Sequence, residues 1–268
     1  MFKRATKKDS KFSKTRVNSF PVTGLRGATS RSNSLSKTTV RINKHMADIG
    51  LSSRREADEL IASGKVLVNG VKATTGMQID PGTDKVKLLG NRPQSYVYYA
   101  YNKPQGIVTT GAQGEEEDIL SDTNFKVPVF PVGRLDKDSH GLILMTNDRR
   151  ITHRLLDPKF EHEKEYRVTL AKGVTQSFID KLEHGMIVDK VRTKSTQITR
   201  EGNKVFRIIL KEGRNRQIRK MVEAAGDQVM DLMRLRIEHI KLDNLAEGTY
   251  RNLSKEELQK LLKKLGLK

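Results

Sequence analysis

The chain has 268 residues, enough for two domains with tails, and carries 51 lysines and arginines against 32 acidic residues, a formal net charge of +19. Such an excess points to a polyanionic partner, nucleic acid foremost. Cysteine is absent, which excludes thiol nucleophiles, disulfides and cysteine-ligated zinc and fits a reducing compartment. No apolar run has the length of a membrane span and no apolar secretory core is evident, so a soluble, cytoplasmic protein is expected.

Residues 1–38 are rich in Lys, Arg, Ser and Thr, with Asp9 the only acid. A segment this polar cannot bury enough surface to fold alone, and a disordered basic arm is expected. An organellar transit peptide has similar composition; the preponderance of Lys over Arg and the lack of an amphipathic pattern count against it.

Residues 39–86 read as a compact module. A short helix starts near Arg41 and ends at Gly50. Ser53 and Glu56 have the spacing of a capping box at the head of a second helix, Arg54 to Ala62, whose apolar face is Ala57, Leu60 and Ile61. Val66-Leu67-Val68-Asn69-Gly70-Val71 then reads as a hairpin turning at Asn-Gly. The string from Ser52 to Gly70 resembles the RNA-binding domain of the S-four type. That resemblance implies phosphate contacts from Lys44, Arg54, Arg55, Lys65 and Lys72. Residues 87–95, with Gly90, Arg92 and Pro93, read as a linker.

From Tyr96 to Tyr101 an aromatic strand is expected. Its tyrosines suit either base stacking or, for alternate ones, burial in a sheet. Residues 111–124 are acidic and turn-rich and read as a surface loop.

Three later segments carry the chemistry. Gly133-Arg134-Leu135-Asp136-Lys137-Asp138-Ser139-His140-Gly141-Leu142 places a carboxylate in a tight turn ahead of the apolar run Leu142 to Met145, which can anchor it to a buried strand. Glu161-His162-Glu163-Lys164-Glu165-Tyr166-Arg167-Val168 enters a second strand. In the third, a strand alternating at Phe206, Ile208 and Leu210 ends in the loop Glu212-Gly213-Arg214-Asn215-Arg216, and a helix runs from near Gln217 to Gly226. Together and in this order the three resemble the motifs of RNA pseudouridine synthases of the RsuA/RluF type: G-R-L-D-x-D-S-x-G-L, K-x-Y and E-G-x-N-R-Q-I-R-R-M.

The resemblance implies that Asp136 is the catalytic carboxylate, that Arg219 pairs with it, and that Tyr166 packs on the target base. Isomerising uridine breaks the bond from ribose to the base nitrogen, turns the base and rejoins it through carbon. No redox change occurs and no net water is used, so neither cofactor nor metal is expected. A carboxylate serves either as nucleophile at the anomeric carbon or as base toward a sugar proton, and the residues do not choose between these routes. The target base must be flipped out of any stack. Arg134, Lys137, Arg214, Arg216, Lys220, Arg234 and Arg236 are the candidates to line the groove and hold the backbone. Asp138 and Ser139 are assigned to shaping the turn. His140, His153 and His162 follow no ligand spacing, and a glycosidase-like use of Asp136 with Asp138 is set aside because no second raised-pKa carboxyl is evident.

The expected fold is α+β: the small N-terminal α/β module, then a catalytic domain over 96–255 with a mixed, mainly antiparallel sheet flanked by helices, and a C-terminal helix over 256–268 headed by a capping box from Ser254. Where the family commonly has Gly after Asn147-Asp148, this chain has Arg149-Arg150, so a different local turn is expected. The His-Glu-Lys-Glu-Tyr and Asn-Arg-Gln-Ile-Arg strings favour the RluF branch and 23S ribosomal RNA as substrate. The alternatives are a 16S enzyme of the same type or a non-catalytic RNA-binding assembly factor. A monomer is expected.

Overall fold

The computed structural model describes residues 39–90 and 95–267. The basic arm expected over 1–38 and residues 91–94 of the expected linker lie outside these residues. The N-terminal module contains, in order, β1 (Val40–Arg41), α1 (Ile42–Asp48), α2 (Arg54–Ala62), β2 (Val66–Val68), β3 (Val71–Lys72), β4 (Gln78–Ile79) and β5 (Val86–Leu88). Ser53 caps α2 reciprocally: its side chain accepts from the Glu56 amide at 3.2 Å and the Glu56 carboxylate accepts from the Ser53 amide at 3.2 Å. Asn69 and Gly70 are both left-handed, at φ +52° and +88°, the conformation that lets a two-residue hairpin follow the strand twist. Ile42, Met46, Ala57, Ile61, Val66 and Ile79 make a small closed core. The boundary expected at residue 86 moves outward, because Val86–Leu88 pairs along its whole length with Val66–Val68.

The larger domain runs β6 (Tyr98–Lys103), α3 (Ile119–Asp122), β7 (Phe130–Val132), β8 (His140–Thr146), α4 (Arg150–Leu156), β9 (Lys164–Leu170), α5 (Gln176–Glu183), β10 (Ile187–Val188), β11 (Val191–Arg192), β12 (Gln197–Arg200), β13 (Val205–Leu210), α6 (Gln217–Ala224), β14 (Val229–Ile237), β15 (Ile240–Lys241), β16 (Tyr250–Asn252) and α7 (Lys255–Lys264). Its sheet has the order β12-β13-β9-β14-β8-β6-β16, with β15 beside β14 and β7 beside β8. Every pair is antiparallel except β14 with β8. The architecture is α+β, a mixed sheet flanked by helices.

Helices cover both faces. Tyr99, Tyr101, Ile143, Met145, Val168 and Phe206 face a core shared with Phe178 of α5 and Met221 of α6. Tyr98, Ala100, Leu142, Leu144 and Ile237 face the other, shared with Ile151 of α4 and Leu261 of α7. The aromatic strand is therefore buried on both sides rather than on alternate residues, and Tyr98, Tyr99 and Tyr101 are not a platform for bases. Central strands sandwiched between helices read as continuous apolar runs for this reason. The loop expected over 111–124 contains the single helical turn α3, capped by Asp118.

Arg149 and Arg150, in the turn after β8, are both engaged. The Arg150 guanidinium grips the buried Asp148 carboxylate, with Nε and Nη2 each at 2.8 Å, and lies 4.5 Å from the Tyr96 ring centre. Arg149 stacks on Phe130 and reaches the Glu56 carboxylate of α2 at 3.2 Å.

Candidate active site

The Asp136 turn leaves β7 and enters β8, and its backbone is fixed from several directions. Thr109 Oγ1 donates to the Leu135 carbonyl at 2.6 Å and accepts from the Leu135 amide at 3.0 Å. The Gly106 amide donates to the Lys137 carbonyl at 2.9 Å, and the Ser139 amide closes the turn on the Asp136 carbonyl at 3.1 Å. At its far end Gly141 has φ +102°, and a Cβ there would stand 2.5 Å from the Arg234 carbonyl oxygen. Only glycine lets β8 approach β14 this closely.

Lys103, at the end of β6, has no exposure to solvent. Its ammonium donates to the carbonyls of Pro104 and Ser139, each at 2.8 Å. Burial pulls its pKa down to about 8, against the opposing pull of the Asp138 and Asp136 carboxylates. No pattern singles this residue out from among 51 basic ones; its position beneath the turn is a tertiary fact.

The structure rearranges the expected cations. Arg219 was expected to pair with Asp136. Instead its Nε stands 3.3 Å from the Asp138 carboxylate, and its Nη2 donates to the Asp138 carbonyl at 2.8 Å and to Ser139 Oγ at 3.2 Å. The cation beside Asp136 is Arg216, with Nη1 at 3.7 Å from the carboxylate. The same guanidinium donates to both oxygens of Asp138, at 3.1 and 3.0 Å. Arg216 immediately precedes α6 in a left-handed conformation, φ +52°, whereas Arg219 lies in its first turn. That difference sends one side chain to the mouth of the turn and the other to its backbone. Burial would raise the Asp138 carboxyl, but the Arg216 hydrogen bonds and the Arg219 charge outweigh it and hold the group below the usual carboxylate range. Asp138 and Ser139 thus shape the turn, as expected.

Asp136 and Tyr166 line one cavity of about 720 Å³, together with Arg134, Lys137, Arg214, Arg216, Lys164 and Arg234. Tyr166 sits in β9, cross-strand from Ile208 on one side and Arg234 on the other. Two groove cations are corrected. Arg234 is 3% exposed and bonds the Leu142 carbonyl through Nε at 2.6 Å, so it faces the cavity from within the sheet and not the surface. Arg236 is held by the Glu165 carboxylate at 2.7 Å, Glu163 at 3.3 Å and the Glu238 carbonyl, because an irregularity in β14 between Arg234 and Arg236 shifts the register and sets it opposite Glu165. Lys220 is tied to Asp189 at 2.5 Å, Arg214 to the Arg192 carbonyl at 3.2 Å and Lys137 to Glu116 at 2.8 Å. Lys44 and Arg54, with Arg41 and Asn43, line a smaller groove on the module, and Arg55, Lys65 and Lys72 are exposed.

The three histidines are engaged with carboxylates: His140 with Asp231 and Glu247 at 2.9 and 3.1 Å, His162 with Glu238 at 2.8 Å, and His153 with Asp157 at 3.5 Å. Among the described residues no group of three or more His, Cys, Asp or Glu is placed to hold a metal. None of their helices is long and apolar enough to cross a membrane.

Comparison with known proteins agrees with this layout. The family model for RNA pseudouridylate synthase matches residues 97–224, and the model for the S4 domain matches residues 40–84. The dual-specificity RNA pseudouridine synthase RluF of Escherichia coli (strain K12) is 42% identical over 234 residues, covering 85% of this chain and 80% of that protein. Ribosomal large subunit pseudouridine synthase B of Bacillus subtilis (strain 168) is 34% identical over 233 residues, covering 82% and 95%. A crystal structure of a pseudouridylate synthase superposes with a TM-score of 0.63 at 30% identity, covering 83% of this chain and 99% of that one.

Proposed function

Because the chain belongs to the RNA pseudouridylate synthase family, we propose that it converts a specific uridine of 23S ribosomal RNA to pseudouridine, with Asp136 as the catalytic carboxylate. The observation that carries this reading is the shared cavity: Asp136 opens onto it from the turn, and Tyr166 onto it from β9. The name of the Bacillus subtilis relative, a ribosomal large subunit synthase, favours ribosomal RNA and the large subunit within it.

The target nucleotide is flipped out, at a cost of a few kcal/mol that is smallest in a loop or bulge. Asp136 then acts at the sugar, as nucleophile on the anomeric carbon or as base toward a neighbouring proton. Tyr166 packs against the uracil, while Arg134, Arg214 and Arg216 at the rim hold the flanking phosphates. Arg219 does not touch the substrate; it holds the turn through Asp138 and Ser139. The reaction is an isomerisation in the cytoplasm, and no cofactor is invoked.

Mapping pseudouridines by chemical labelling, in ribosomal RNA from cells with and without the gene, tests the proposal. One 23S site should vanish on deletion and return with the wild-type gene but not with Asp136→Ala. A lost site in 16S RNA overturns the choice of subunit. No lost site overturns the enzymatic reading in favour of an assembly factor.

A further inference from the structure

β9 carries Lys164 two residues before Tyr166, so both side chains point to the same side of the strand and both line the cavity that holds Asp136. Arg234 lines it from β14, opposite Tyr166 in register. Neither cation is in a salt bridge among the described residues. Lys164 Nζ donates to the His162 carbonyl at 3.3 Å. Arg234 bonds the Leu142 and Arg134 carbonyls at 2.6 and 3.5 Å, and its third nitrogen, Nη2, is buried with no hydrogen-bond partner. Two buried cations with spare donors, among Leu232 and Ile237 of the same cavity, are costly unless an anion or acceptor meets them.

Pseudouridine formation at this cleft creates such an anion. When the bond from C1′ to N1 breaks, its electron pair leaves with the base, and the charge spreads over N1 and the two carbonyl oxygens. The base turns, C5 forms the new bond to C1′, the C5 proton is lost, and N1 takes up a proton, so substrate and product are isomers. We infer that Lys164 and Arg234 form the seat for the departing uracil anion and hold it while it turns. This rests on the function proposed above. A lysine suits the task because its compact ammonium has three rotatable donors and follows a moving acceptor, which a planar guanidinium does not. Burial and the Arg234 charge lower Lys164 to about 8, which leaves it charged at neutral pH.

The test compares protein-free 23S transcripts made with uridine or with 5-fluorouridine, under single turnover, for wild type, Lys164→Met and Lys164→Arg. Fluorine makes the departing base a weaker base that needs less stabilisation. Lys164→Met should bind uridine RNA within about threefold of wild type yet cleave the glycosidic bond about 100-fold more slowly, the usual scale for losing one preorganised electrostatic donor. On 5-fluorouridine the loss should shrink to about tenfold or less. Lys164→Arg, which keeps the charge, should stay within about tenfold of wild type on uridine. Equal losses on the two RNAs, no loss on uridine, or an arginine variant as slow as the methionine variant overturns the inference. Wild type that forms no pseudouridine defeats the underlying function instead, so the two failures are distinct.

Discussion

Arg219 grips Asp138 through both its side chain and its backbone, with Nε 3.3 Å from the carboxylate and Nη2 2.8 Å from the carbonyl. It therefore holds the position of the Asp136 turn without lying beside Asp136. Arg219→Ala should leave the fold intact with a stability loss of about 1–3 kcal/mol, the scale for a broken charged hydrogen-bond set. Turnover should fall about 100-fold, and Arg219→Lys should recover only part of it, since one ammonium cannot reach carbonyl, hydroxyl and carboxylate together. Single-turnover rates alongside denaturant midpoints check this; an active, equally stable alanine variant contradicts it.

Asp136 is the one carboxylate among the described residues that line the cavity, and the proposed reaction rests on it. Asp136→Asn should reduce turnover below about one per cent, while RNA affinity stays within a few-fold, because size and polarity persist and the charge lost is not one that attracts phosphate. Filter binding and tritium release from labelled uridine measure the two quantities separately.

Lys103 and Lys164, both with pKa values near 8, link stability to pH. Each is lowered from the ordinary lysine value of 10.5, so between about pH 8 and pH 10 the unfolded chain binds more protons than the folded one. Stability therefore rises with pH across that window, by up to about 1.4 kcal/mol for each unit of pKa difference. Denaturant unfolding at pH 7.5, 8.5 and 9.5 should show this rise against any background from other groups, and Lys103→Met should flatten part of it. The same variant should lose turnover, since the Pro104 and Ser139 carbonyls lose their shared donor.

The module's cations should affect affinity and leave chemistry alone. Replacing Arg41, Lys44 and Arg54 with alanine should lower the salt slope of log affinity by about 2 to 3, given about 0.7–0.9 for each phosphate neutralised. The rate at saturating enzyme should be unchanged. An unaltered slope means that this groove does not meet RNA.

Gly141→Ala should destabilise the protein by about 1–3 kcal/mol or more, since it combines a left-handed backbone with a methyl group 2.5 Å from the Arg234 carbonyl. A chemical melt read by circular dichroism is sufficient, and a shift below 0.5 kcal/mol counts against the close approach.

Local signals were legible. The Ser53–Glu56 spacing foretold a capping box that the structure makes in both directions, and Asn69-Gly70 foretold the hairpin. Four elements around the site also followed from motif and periodicity: the Asp136 turn, β9, β13 and α6. What failed were matters of reach between segments. Arg216 and Arg219 are three residues apart at the start of one helix, and which of them meets Asp136 depends on the angle at which α6 approaches the turn. Arg234 and Arg236 read alike as groove cations, yet a register shift in β14 between them leaves one buried against carbonyls and seats the other on glutamates. Alternation misled for Tyr98 to Tyr101 because helices lie on both faces of the sheet. Lys103 and Lys164 carried no pattern at all beyond the K-x-Y string.

The sheet order has a consequence for how this protein is made. β8 and β9 follow one another along the chain but are not neighbours; β14, Val229–Ile237, inserts between them. A growing polypeptide that has reached Gly226 already contains Asp136, Tyr166 and Arg219, and still has nothing to set the strand bearing the tyrosine beside the strand that follows the aspartate. Closing that gap is a long-range event, of the slow kind that depends on late-arriving sequence. Activity should therefore begin only after Val229–Ile237 has emerged from the ribosome, and truncations that keep every motif but end before β14 should yield no enzyme.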